Sequence, residues 1–163
     1  MTLERRTRIG ANLIAFVDAT MFLWGAMAFA MPHRLLGPGG TPILQAGFEG
    51  YTRESWIELT TTSPAAAGYI EIVFRLYGLF CGVLGLVCVA IALTALRRGE
   101  SWAWWTLLVG SVVPLVSAMR YDWIVNAIGP FEVTEYVGLA LVVVALTMTA
   151  PIVTGLRSAR FAG

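Results

Sequence analysis

The sequence predicts an all-α fold, a bundle of four membrane-spanning helices, and three observations lead to that prediction. Of the 163 residues, 58% are hydrophobic and only 13% are charged, whereas soluble domains usually carry about a quarter charged residues. Four apolar segments approach or exceed the roughly 20 residues that a helix needs to cross a bilayer. The charged residues are concentrated between these segments. We therefore expect one transmembrane domain, residues 1–163, in contact with lipid. The net charge of +1 excludes a broad basic surface for nucleic acid.

Each predicted span has its own markers. The spans are residues 9–31, 69–96, 102–119 and 133–156. The first holds Asp18 in a long apolar run with no cleavage site after it, which is typical of a true span and not of a signal peptide. The second holds Gly78, Gly82 and Gly85 at helical spacing, and its GxxxG pair predicts close packing against another helix. Pro114 in the third span removes one backbone hydrogen bond and predicts a kink.

The longest link, residues 32–68, begins with a Pro- and Gly-rich stretch and then regains helical signals. Thr52 or Ser55 is a candidate cap for a short helix, and Pro64 is expected to end that helix or to begin the next segment. We therefore predict a structured loop between the first and second spans. It would lie on the membrane surface or cover one end of the bundle.

Arginines are distributed unequally between the two ends of the predicted bundle. One end carries the arginines of both termini and of the link between the second and third spans: Arg5, Arg6, Arg8, Arg97, Arg98, Arg157 and Arg160. At the opposite end, arginines are mixed with carboxylates. Because positively charged segments stay in the cytoplasm, we predict cytoplasmic termini and an extracytoplasmic 32–68 loop. All eleven basic residues are arginine, which is typical of a GC-rich bacterial genome, so the expected location is a bacterial cytoplasmic (inner) membrane.

Six charged residues are expected to form one layer at the outer ends of the last three spans. They are Glu71, Arg75, Arg120, Asp122, Glu132 and Glu135. In one interpretation they pair with each other and close the bundle, which predicts Arg75 or Arg120 within salt-bridge distance of one of these carboxylates. In the other, the layer rims a cavity and an arginine holds an anionic or polar head group. Charges at helix ends are common, so the first interpretation is preferred.

Asp18 is the carboxyl group predicted to lie deepest in the membrane. It lies about 13 Å from the inner edge of the first span at 1.5 Å per residue. A carboxyl group at that depth must be protonated, paired or hydrated. A neutral Asp18 hydrogen-bonded across helices is one interpretation, and a proton-carrying or ligand-binding Asp18 is the sharper alternative.

The sequence lacks the side chains of most catalytic and metal sites. It has one histidine, His33, and no CxxC, HExxH or glycine-rich phosphate loop. We therefore predict no metal site, no catalytic residue and no cofactor, and the alternative is a bound quinone or lipid. Enzymatic activity is not expected, but it is not excluded.

Four stretches of the sequence, taken together, resemble one group of membrane proteins. The stretches SWIELTTTSPAAAGYIEIVFRLYGLFCGVLGL, LRRGESWAWWTLLVG, MRYDW and GPFEVTEY occur in this order within residues 55–156. In this order they resemble a group of uncharacterised bacterial four-helix integral membrane proteins that are DoxX-like in general plan. The resemblance implies a four-helix bundle, and it assigns no catalytic residue. Some DoxX-like proteins are membrane subunits of quinone-linked oxidoreductases, so a link to quinone is implied by analogy only.

Three functions fit these features. The first is a non-catalytic accessory or structural subunit of a larger membrane complex, which would have other membrane protein subunits as partners. The second is a binder or enzyme for a lipophilic molecule, a quinone or a lipid, held between the helices. The third is a small transporter, which would need a homo-oligomer and a polar path.

Overall fold

The structure is a computed structural model that describes residues 2–37, 40–125 and 130–154, without the side chains of 130–132. Its seven α-helices are α1 Leu3–Ala30, α2 Ile43–Thr52, α3 Trp56–Thr62, α4 Pro64–Ile91, α5 Ser101–Leu107, α6 Val113–Val125 and α7 Pro130–Thr149. A π-helical turn, Ala92–Leu96, continues α4, and a second, Leu108–Val112, joins α5 to α6. Short 3-10 turns follow α1 at Pro32–Arg34 and α7 at Ala150–Ile152. One isolated bridge joins Leu36 and Pro42.

Four helical segments are long and apolar enough to cross a membrane, as predicted. They are Leu3–Ala30, Pro64–Leu96, Ser101–Val125 and Val133–Ile152. The third of these continues six residues beyond the predicted end at residue 119, so Arg120 and Asp122 lie on the helix and not after it. The charges in the sequence indicate where the apolar run ends, but the backbone keeps its helical hydrogen bonds beyond that point.

Helix α1 lies at the centre of the packing. It packs along α4 and, on another side, along α7, while α6 packs against α7 and α2 packs against α6. We call the end of the bundle at which residues 31–63 join α1 to α4 the loop end, and the opposite end the terminal end. The largest fully buried apolar side chains, Ile14, Leu96, Leu107 and Val142, belong to one core cluster shared by all four spans.

Small residues bring α1 and α4 into close contact. A methyl group added at Gly85 would lie 2.7 Å from the backbone oxygen of Asp18, and one added at Gly78 would lie 2.6 Å from the Cβ of Ala28. At Gly82 the nearest atom would be 3.5 Å away, which is an ordinary contact. All three glycines predicted to mediate packing therefore face α1, but Gly78 and Gly85 are the two without room for a side chain.

The terminal end is held by three contacts between helices. An added methyl group at Gly10 of α1 would lie 2.6 Å from Thr149 of α7. The indole N–H of Trp104 donates to the backbone carbonyl of Leu146 at 3.0 Å. The guanidinium of Arg97 donates to the Asn12 side-chain oxygen at 2.5 Å. The link between α4 and α5 is thereby tied to the first span.

The segment between α1 and α4 contains two helices where one was predicted. The Ser55 hydroxyl accepts a hydrogen bond from the Glu58 N–H at 3.4 Å and caps α3, and Pro64 begins α4. Helix α2 was not predicted. It ends at Arg53, which adopts a left-handed conformation with φ 66°. The sequence signal for that end was weak because glycine is the usual residue in this conformation.

Candidate functional site

The first polar cluster is a hydrogen-bonded pair buried within the spans. The hydroxyl of Ser111 donates to a carboxyl oxygen of Asp18 at 2.9 Å. Asp18 lies on α1 and is 1% exposed, and Ser111 lies on the third span and is fully buried. A hydrogen bond across helices, which one interpretation of Asp18 requires, is therefore present. Its partner was not predicted, although a serine within an apolar run was an available signal.

Ser111 lies on a part of the third span where the helix is irregular, and the local sequence explains the irregularity. Pro114 has no N–H to offer to the carbonyl of Gly110, and the π-helical turn Leu108–Val112 lies immediately before it. Single π turns of this kind widen a helix and often occur at functional sites. Gly110 has no side chain, and the sulfur of Cys88 fills part of this space, since an added methyl group there would lie 2.8 Å from it. The pair is thus packed against α4 on one side.

The second polar cluster lies at the loop end, where α4 meets the last turn of α1. Arg75 donates through Nε and Nη2 to one carboxylate oxygen of Glu71, at 2.9 and 2.7 Å. Its third nitrogen, Nη1, donates to the backbone carbonyls of Phe29 and Ala30 at 2.5 and 3.4 Å. On the other side of the carboxylate, His33 lies with its Nε2 3.2 Å from the second oxygen of Glu71. The predicted ion pair between Arg75 and a carboxylate of this layer is present.

This cluster solves a problem common to all helix ends. The last carbonyl groups of a helix have no donors within the helix, and a positive charge near them is favourable. Arg75 supplies both from the neighbouring helix, so it links α4 to α1 as well as pairing with Glu71. The side chains of Arg75 and Glu71 are 34% and 27% exposed, so the pair lies at the surface of the bundle and is partly covered.

The other predicted members of the charged layer have different positions. Arg120 is exposed, and no ion pair of Arg120 is found within the described ranges. Asp122 and Glu135 each have one carboxyl oxygen shielded from solvent. The side chain of Glu132 lies outside the described residues. Nearby, the indole N–H of Trp123 donates to the Tyr136 hydroxyl at 2.9 Å and joins α6 to α7.

An apolar groove runs between α1 and α4 on the outside of the bundle. Its volume is about 330 Å³. It is lined by Phe22, Gly25, Ala26, Phe29 and Ala30 from α1 and by Gly78, Leu79, Gly82, Val83 and Leu86 from α4. Its lining combines small residues with larger apolar side chains. A hydrocarbon chain fits such a surface better than a polar molecule does.

In the part of the chain that the structure describes, no group of three His, Cys, Asp or Glu side chains could hold a metal ion. The two cysteines, Cys81 and Cys88, are both free thiols.

Comparisons with models of protein families, with curated proteins and with solved structures find no match to this chain. Four apolar helices are long enough to cross a bilayer, and they pack side by side through glycines and an intramembrane hydrogen bond. The chain is a multi-pass membrane protein built as a helical bundle.

Proposed function

We propose that this protein is a non-catalytic integral membrane accessory or structural subunit of a larger membrane complex. The observation that carries the proposal is how the best-placed polar groups are used. Arg75 binds Glu71 and the carbonyls that end α1, and Asp18 binds Ser111. Both sets of contacts hold this chain's own helices together. A stable bundle with apolar outer faces suits association with other membrane proteins.

Purification tests this proposal directly. The protein, tagged at its N-terminus and expressed at native level, is extracted in a mild detergent and analysed by mass spectrometry. We expect one or more membrane proteins at a fixed ratio to the tagged chain, retained through size-exclusion chromatography. A monodisperse preparation that is extracted from the native membrane and contains this chain alone would contradict the proposal.

The proposed location is a bacterial cytoplasmic membrane with both termini in the cytoplasm. The support is the excess of arginine at the terminal end, together with the four candidate spans. A cysteine at exposed Ser101 and another at exposed Thr61 report on the two ends. In intact cells, a membrane-impermeant thiol reagent should label Thr61→Cys and leave Ser101→Cys at the level of the wild-type protein. Gly99, which lies in the same link between α4 and α5, is unsuitable for this test, because its φ of 77° would strain a cysteine.

The second candidate function, the binding of a lipophilic molecule, is favoured by the groove between α1 and α4. Its lining is apolar, and the Arg75 cluster lies beside its loop end, since Phe29 and Ala30 both line the groove and accept from Arg75. A quinone or a lipid is the class of ligand that fits. The resemblance to DoxX-like proteins is consistent with a quinone, but it adds only an analogy.

A matched pair of variants separates this candidate from the first. Ala26→Phe places a large side chain in the groove, while Ala140→Phe adds the same side chain at an exposed position of α7. If the groove holds a lipophile, extraction and mass spectrometry should find it with the wild-type protein and with Ala140→Phe, and not with Ala26→Phe. Equal retention by all three would rule out this groove as the site.

A further inference from the structure

Asp18 lies in an environment that offers hydrogen bonding but no compensating charge. The side chain packed against it from the third span is Ser111, which is neutral. From α4, the nearby titratable group is the thiol of Cys88, which is buried. From α7, the neighbouring position Gly138 faces the apolar side chain of Val17. Within the described residues, no arginine or histidine forms an ion pair with Asp18.

Charged groups on α1 itself are too distant to help. Arg8 is ten residues before Asp18 and lies roughly 15 Å along the helix axis at 1.5 Å per residue. His33 is farther away in the opposite direction. An isolated ionised carboxylate in an apolar interior is far more costly than a neutral carboxyl group that keeps a hydrogen bond. Ser111 can serve either form, because a hydroxyl both donates and accepts.

We propose that Asp18 is a proton-binding site inside the membrane, a neutral carboxylic acid held against Ser111 at the π-helical turn. Loss of its proton leaves a charge that the Ser111 hydroxyl stabilises without help from a cation within the described residues. Because Asp18 is 1% exposed, water reaches that charge when the helices packed around it move apart. Proton occupancy of Asp18 is therefore coupled to the packing of these helices. This inference does not depend on the proposed function, since a subunit, a ligand binder and a transporter would all contain the same site.

The sequence makes a direct measurement practical, because it contains only two aspartates, Asp18 and Asp122. Protein labelled with ¹³C at the aspartate side-chain carboxyl carbon is reconstituted in lipid and studied by infrared and solid-state NMR spectroscopy at neutral pH. The variant Asp122→Asn leaves Asp18 as the single labelled carboxyl group. We expect the signal of a protonated carboxylic acid. A carboxylate signal at neutral pH would overturn the proposal.

A second variant covers the case in which Asp122→Asn does not fold. Asp18→Asn keeps the size and the hydrogen bond of the side chain and removes its proton equilibrium, so the wild-type spectrum minus its spectrum isolates Asp18. Ser111→Ala in the labelled wild-type background should shift the acid signal and not abolish it, since the hydrogen bond changes but the burial remains. An unshifted signal would show that Ser111 is not the partner.

The coupling to helix packing is tested by stability. The folding equilibrium of the wild-type protein in detergent is compared with that of Asp18→Asn from acidic to alkaline pH. A solvent-exposed aspartate ionises at about pH 3.9, so above that pH the unfolded chain has lost the proton that the folded bundle keeps. The wild-type equilibrium should therefore weaken relative to the variant by up to about tenfold per pH unit above about pH 4, and the difference should level off once Asp18 ionises in the folded bundle. Curves that stay parallel between about pH 4 and neutral pH would contradict the coupling.

Discussion

Two charged pairs with the spacing Glu-x-x-x-Arg lie wholly within a helix of this chain, and the two pairs differ in their exposure and in their contacts. Glu4 and Arg8 near the start of α1 meet at 3.2 Å with side chains 81% and 69% exposed. Glu71 and Arg75 on α4 meet at 2.7 Å with side chains 27% and 34% exposed. The first pair has one contact within its own helix, whereas the second also binds the carbonyls that end α1.

The difference indicates that contacts with a neighbouring helix, and not the spacing, determine how much a charged pair contributes to stability. An exposed pair four residues apart contributes only about 0.3–0.5 kcal/mol. A partly covered arginine that satisfies carbonyl groups of another helix contributes more, because its removal leaves those acceptors and the carboxylate without a partner. Four substitutions, described in order of decreasing expected effect, test how far contacts with a neighbouring helix determine stability.

The largest effect is expected at Gly85, which sets how closely α1 approaches α4. Gly85→Ala should destabilise the protein by about 3 kcal/mol, because the new methyl group meets backbone atoms that cannot move aside without separating the helices. Gly82→Ala is the matched control and should be neutral or slightly stabilising, since its methyl group has ordinary contacts and alanine favours helix. Unfolding in detergent measures both, and equal effects at the two positions would refute the packing argument.

The central test of the comparison is Arg75→Ala against Arg8→Ala. Loss of Arg75 should cost about 2 kcal/mol, because Glu71 loses two hydrogen bonds and the end of α1 loses its donor. Loss of Arg8 should change stability by less than about 0.5 kcal/mol. Thermal unfolding in the same detergent compares them. If the two variants unfold alike, the contacts of Arg75 with α1 do not contribute to stability.

A finer test keeps the charge and removes the geometry. Arg75→Lys retains one positive charge, but a lysine ammonium cannot reach the carboxylate and the α1 carbonyls with the spread of a guanidinium. We expect about 1 kcal/mol of destabilisation, between the wild-type protein and Arg75→Ala. Full retention of stability would mean that charge alone explains the contribution of the pair to stability. Measuring the stability of this variant at low and high salt would show how far the charge is screened.

The smallest effect is expected at His33, which approaches the same carboxylate from outside. Its side chain is 56% exposed, so His33→Asn should change stability by less than about 0.5 kcal/mol at neutral pH. The measurement is again unfolding in detergent, with the Arg75 variants as reference. A loss as large as that of Arg75→Ala would instead make His33 an essential member of the cluster.

The four spans were predictable from the sequence because a bilayer imposes a length and an apolar composition that can be counted along the chain. The glycine face of α4 was also predictable, because it depends on local spacing. The sequence offered Thr52 or Ser55 as a cap, and Ser55 is the one that caps α3. The pairing of Glu71 with Arg75 also follows from their separation by four residues on one helix.

Tertiary structure alone decided which helix each of these groups faces. The sequence did not indicate that Ser111 would meet Asp18, because their contact joins residues 93 positions apart and depends on the bundle's order and on the turn before Pro114. Nor did it indicate that Arg75 would bind the carbonyls of Phe29 and Ala30, or that Gly82 would have room where Gly85 has none. Spacing along one helix determines which residues share a face, whereas the rotation and depth of each helix against its neighbours determine what that face contacts.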